Sequence, residues 1–108
     1  MIYDEFMKPE VAPDIKYHPT KDVIAWRKMI AGLSYLEVFQ RSSGLFGFRY
    51  QAWVAWRDAT DEVRSHSWHR IDPQSNLVTD SFSEATQYAE ADAEKHGLTF
   101  SGAWCRAS

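Results

Sequence analysis

Gly47–Arg57, read as GFRYQAWVAWR, is dense in aromatic and β-branched residues and holds no proline, which predicts a strand of the whole length of the segment. A strand sends alternate side chains to opposite faces, so Phe48, Tyr50, Ala52, Val54 and Trp56 form one set and Arg49, Gln51, Trp53, Ala55 and Arg57 the other. The first set is the natural core. The strand is bounded before by Arg41-Ser42-Ser43-Gly44 and after by Asp58-Ala59-Thr60-Asp61, both rich in turn-forming residues.

Working outward, Ser34 to Gln40 alternates Tyr35, Glu37 and Phe39 with Leu36 and Val38, and Val63 to Ile71 alternates up to the turn Asp72-Pro73-Gln74-Ser75-Asn76. Strands are therefore expected over 34 to 40, 47 to 57 and 63 to 71, with a short extended piece over 77 to 79. Upstream, Val23, Ile24, Trp26, Met29, Ile30 and Leu33 recur at helical spacing between a possible cap at Thr20 or Asp22 and Gly32, which predicts a helix over about 22 to 32. Downstream, Ser83 as N-cap, Glu84 in the first turn and Lys95-His96-Gly97 at the end frame a second helix. Its apolar face consists of Ala85, Tyr88, Ala89 and Ala93 with the preceding Phe82. Leu98, Phe100 and Trp104 are expected to return over an edge of the core.

The expected fold class is α+β in two layers: a helix, a three-stranded antiparallel meander and a second helix over residues 21 to 108, because short turns place successive strands side by side. Residues 1 to 20 contain Pro9, Pro13 and Pro19 and read as an extended arm, while Ile2, Tyr3, Phe6, Met7, Val11, Ile15 and Tyr17 suit packing on the domain or on a partner subunit. This element order resembles that of double-stranded RNA-binding domains. In that family a lysine-rich start of the second helix contacts the duplex; the matching stretch here, Asp80-Ser81-Phe82-Ser83-Glu84, is acidic, and the function is not carried over.

The chain has 108 residues, 44% hydrophobic and 25% charged, with five tryptophans and a net charge of −3. That composition fits one globular domain and excludes collagen-like, coiled-coil or disordered states as the main form. Bulk charge does not favour nucleic acid or anionic lipid, although segment 41 to 70 carries five arginines against three acids. The single cysteine, Cys105, allows no internal disulfide, and no run of about 18 apolar residues is present, so the expectation is a cytoplasmic protein with no membrane span.

The chemistry-bearing residue types do not assemble into a catalytic motif. His66 and His69 have a spacing that would converge on one metal from a helix, but on a strand they point to opposite sides. Asp58, Asp61 and Glu62 read as turn formers, and Gly44 and Gly47 are followed by neither Lys-Ser/Thr nor a helix, as a phosphate loop requires. No enzyme activity, cofactor or metal is expected.

The candidate surface is a sheet face. If the second and third strands align their polar sets, Arg49, Trp53, Arg57, Arg64, His66, Trp68 and Arg70 share one face. Tryptophans interleaved with arginines can grip an acidic protein surface or stack bases and pair phosphates, and the bland alternative is a Trp53–Trp68 cross-strand pair with arginine stems lying over the rings. The leading expectation is a small non-enzymatic protein-interaction module, such as an accessory or inhibitor protein, acting through this face or the N-terminal arm. Binding of single-stranded or structured nucleic acid is the alternative, and a homodimer through an open sheet edge is a possible variant.

Overall fold

A computed structural model describes residues 16–30, 33–60, 62–72 and 78–107. Their strands are β1 (Val23–Lys28), β2 (Ser34–Gln40), β3 (Phe46–Arg57), β4 (Val63–Ile71) and β5 (Cys105–Arg106), and the helix is α1 (Phe82–Lys95). All pair antiparallel in one sheet of order β4-β3-β2-β1-β5. Among the described residues the fold is thus α+β, but a five-stranded sheet with a single helix replaces the expected helix, meander and helix.

The correction lies at Val23–Lys28, where the helical spacing predicted a helix and the chain forms β1. No residue of this strand is exposed, Val23 and Ala25 being buried and Ile24, Trp26, Arg27 and Lys28 half-buried, so apolar residues fall on successive positions and lose the two-residue period that marks a half-exposed strand. A bulge between Val23 and Ala25 shifts the register further and mimics the three-to-four residue spacing of a helix. The β-branched pair Val23-Ile24 favours extended backbone, and pairing with Phe39 to Tyr35 of β2 satisfies an edge that would otherwise be open.

The three expected strands occur as β2, β3 and β4, with β3 starting one residue earlier, at Phe46. Gly44 takes φ 89° in the β2–β3 turn, where the Arg41 N–H donates to the Leu45 carbonyl at 2.8 Å. Asp58 organises the next turn, its Oδ1 accepting from the backbone N–H groups of Thr60 at 2.8 Å and Glu62 at 3.1 Å. Of the extended piece expected over 77 to 79, Thr79 bridges Phe46, and Leu77 lies outside the described residues.

The helix begins earlier than Ser83. Ser81 is the N-cap, its Oγ accepting from Glu84 N–H at 3.2 Å, so that Ser81 and Glu84 hold the spacing of a capping box. Ala85, Ala89 and Ala93 are buried against Leu36, Val38, Phe48, Tyr50 and Ala52, and small side chains let the helix sit close to the sheet. Tyr88, expected on that face, is 40% exposed. The Tyr50 hydroxyl donates to Asp92 of the helix. Leu98 and the partly buried Phe100 and Trp104 do return to the core, and β5 then pairs β1 through Trp26 and Cys105.

β3 serves two half-sheets. Residues Phe46 to Ala52 pair with β2, and Tyr50 to Arg57 pair with β4, so the end of β3 and the start of β4 project as a two-stranded ribbon beyond β2.

Candidate functional site

Cross-strand register decides which side chains meet on the sheet face away from α1. One row runs Trp26, Glu37 and Arg49, the next Lys28, Tyr35, Gln51 and Arg70, and beyond these Trp53 faces Trp68 and Ala55 faces His66. Trp53, His66, Trp68 and Arg70 therefore share a face, as the alignment of polar sets requires. Trp53 and Trp68 meet edge to face at 5.6 Å between ring centroids, and Trp53 stacks parallel to His66 at 6.1 Å. The Trp53 Nε1 is buried and, among the described residues, has no hydrogen-bond partner. His66 and Arg70 are exposed, and Arg70 lies 3.7 Å from Asp72. Arg57 and Arg64 lie in β3 and β4, with their side chains outside the described residues.

Arg49 shares this side of the sheet but is not available at the surface. It is 4% exposed and donates from Nε to Glu37 at 2.8 Å, from Nη1 to Asp22 at 2.9 Å and from Nη2 to Thr20 at 3.0 Å. Burial opposes its charge, yet the hydrogen bonds to Asp22 and Glu37 outweigh that and hold its pKa above the ordinary arginine value. Asp22 is drawn down to about 2, chiefly by its hydrogen bond with Arg49.

Over the same face lies a strap, Lys16 to Asp22. The Tyr17 ring stacks on Tyr35 with centroids 3.9 Å apart, meets Trp68 edge-on at 5.7 Å and sits 6.0 Å from Trp26. Its hydroxyl donates to Oε2 of Glu37, a residue only 1% exposed. Burial first, then this hydrogen bond and the Glu37 charge, push the Tyr17 phenol far above its usual range. Lys28 lies with Nζ 5.5 Å from the Tyr35 ring and donates to the Met29 carbonyl at 2.6 Å, and burial lowers its pKa. Residues 1–15 of the expected arm lie outside the described residues.

The opposite face of the projecting ribbon is also aromatic. Trp56 is 43% exposed, packs edge-on against His69 at 5.3 Å and donates from Nε1 to Ser67 Oγ at 2.5 Å. His66 and His69 thus fall on opposite sides of β4, as strand alternation requires, and among the described residues no group of three or more His, Cys, Asp or Glu side chains converges as a metal site.

Tyr17, Trp26, Tyr35 and Glu37 join this face from the strap, β1 and β2, outside the two strands whose sequence marks the candidate surface. One signal was legible: Glu37 is a lone acid between Tyr35 and Phe39 on one strand face, a pattern that asks for a cation on the neighbouring strand. No protein-family model matches the chain, and comparison with curated proteins and with solved structures finds no significant match.

Proposed function

We propose that this protein is a non-enzymatic interaction module that binds another protein through the face bearing Trp53, His66, Trp68 and Arg70. The observation that carries this reading is the exposed position of His66, stacked parallel on Trp53 beside Trp68, on a ribbon that ends in the sheet's edge strand. Half-buried rings flanked by polar groups combine large apolar area with few rotatable bonds, as in the energetic centres of protein interfaces. Among the described residues no strand pairs with the outer side of β4, whose backbone donors and acceptors next to the rings suit an added strand. Nucleic-acid binding is less favoured, because Arg49 is neutralised by Glu37 and Asp22 and Arg70 lies beside Asp72.

The test is a photo-crosslinking amino acid placed at His66 and, as a control, at the exposed Gln87 of α1. Irradiation in cells should give a discrete protein adduct from position 66 that position 87 does not give. Identical adduct patterns from both sites would reject the reading, and a nuclease-sensitive adduct from position 66 would replace it with nucleic-acid binding.

A further inference from the structure

The strap is attached unevenly. At its C-terminal end Thr20 accepts from Val23 N–H at 3.1 Å and Asp22 from Gln40 N–H at 2.9 Å, and both side chains hold Arg49. Among the described residues, no backbone hydrogen bond ties Lys16, Tyr17, His18 or Pro19 to the sheet. Among the described residues that end is held by the Tyr17 side chain, just ahead of Pro19, an attachment through one side chain of the kind expected to open before the sheet does.

What Tyr17 occupies has the form of a built site. Tyr35, Trp26 and Trp68 wall it with aromatic faces and edges, and Glu37, on the central strand β2, forms its floor. The two Glu37 oxygens are divided between partners: Oε1 accepts from Arg49 Nε at 2.8 Å, and Oε2 accepts from the Tyr17 hydroxyl. A buried carboxylate oxygen deprived of its donor is costly, so the socket selects an aromatic ring that carries a hydroxyl over one that does not. It also adjoins the proposed binding face, since Trp68 belongs to both.

We infer that the socket formed by Trp26, Tyr35, Trp68 and Glu37 is a recognition site for a tyrosine side chain of a protein partner, closed in the isolated chain by Tyr17. The proposal rests on the reading of this face as protein-binding and adds to it the chemistry of the ligand. The strap is then an internal competitor: a partner must present a phenol that displaces one already tethered beside the site, which lowers its apparent affinity by the fraction of time the socket is open.

The experiment uses the full chain carrying Tyr17→Ala, checked by circular dichroism, and titrates it with N-acetyl-tyrosinamide and N-acetyl-phenylalaninamide while tryptophan fluorescence and thermal unfolding are followed. Saturable binding of the tyrosine amide, with a rise in Tm and affinity at least about tenfold above that of the phenylalanine amide, is the expected result. The wild-type chain should bind the same amide more weakly, because its socket is filled. Absence of saturable binding, or equal binding of the two amides, would overturn the site. Should Tyr17→Ala fail to fold, Tyr17→Phe keeps the ring: there the tyrosine amide should speed backbone amide exchange at Lys16 and His18, and no change would overturn the proposal. A crosslinked partner at His66 with no amide binding rejects the socket alone. Amide binding with no partner at His66 rejects the protein-binding reading and leaves the socket as a phenol site without the partner inferred for it.

Discussion

Arg49 and Glu37 are directly opposed residues of β3 and β2, joined at 2.8 Å, with side chains 5% and 2% exposed. A charged pair this deep in a small sheet is stable only because its remaining hydrogen-bonding capacity is filled, by Asp22 and Thr20 on the arginine and by Tyr17 on the carboxylate. The pair thereby ties the strap to the sheet.

Breaking the pair should therefore cost far more than replacing it. Arg49→Ala leaves Glu37 buried without its cation and is expected to destabilise the fold by about 3 to 5 kcal/mol. The triple variant Tyr17→Phe, Glu37→Leu, Arg49→Met removes the buried polar groups together and should recover most of that loss. Urea denaturation of the variants decides the matter; a triple variant no more stable than Arg49→Ala would refute the account.

Tyr17 gives an alkaline signature. Its pKa is raised in the folded chain, so its contribution to stability is complete below the ordinary tyrosine value of 10.0 and is lost as pH rises past it toward the folded value. Spectrophotometric titration at 295 nm should show a delayed ionisation that Tyr17→Phe removes. The same substitution leaves Glu37 Oε2 without its donor, and an unfolding free energy lower by about 1 to 3 kcal/mol at neutral pH is expected.

The acid side is governed by Asp22. Its pKa falls from the ordinary 3.8 to about 2 in the folded chain, so the stability it confers is present above about pH 4 and disappears as pH falls toward 2. Its side chain is 42% exposed, and solvent screening limits the effect to about 1 kcal/mol. Denaturation midpoints between pH 5 and 2, compared with Asp22→Asn, should show a smaller acid loss in the variant.

Gly47 sits under the Phe39 ring, and a Cβ there would lie 2.7 Å from Phe39 Cζ. The ring is itself covered by the Arg49 guanidinium at 4.7 Å and cannot lift freely. Gly47→Ala should cost about 1 to 2 kcal/mol despite the better strand propensity of alanine. In a Phe39→Leu background the penalty should shrink, and a double-mutant cycle by thermal unfolding measures the coupling.

The sequence by itself determined β2, β3, β4 and the long helix, because each carries a local signal: two-residue alternation or aromatic density in the strands, and Ser, Glu, Lys and Gly punctuation around the helix. It also offered Trp53, His66, Trp68 and Arg70 as one face on the condition that two strands align their polar sets, and the cross-strand register of β3 and β4 meets that condition. Only the tertiary structure decided that Val23–Lys28 is a strand, because a strand with no exposed residue shows no two-residue period, and that β5 completes the sheet, because a two-residue strand carries no pattern. It likewise decided the fate of Arg49. Glu37, 12 residues away, and Asp22 and Thr20, 27 and 29 residues away, converge on that side chain only when β1, β2 and β3 lie side by side, and this turns a candidate surface arginine into a buried anchor.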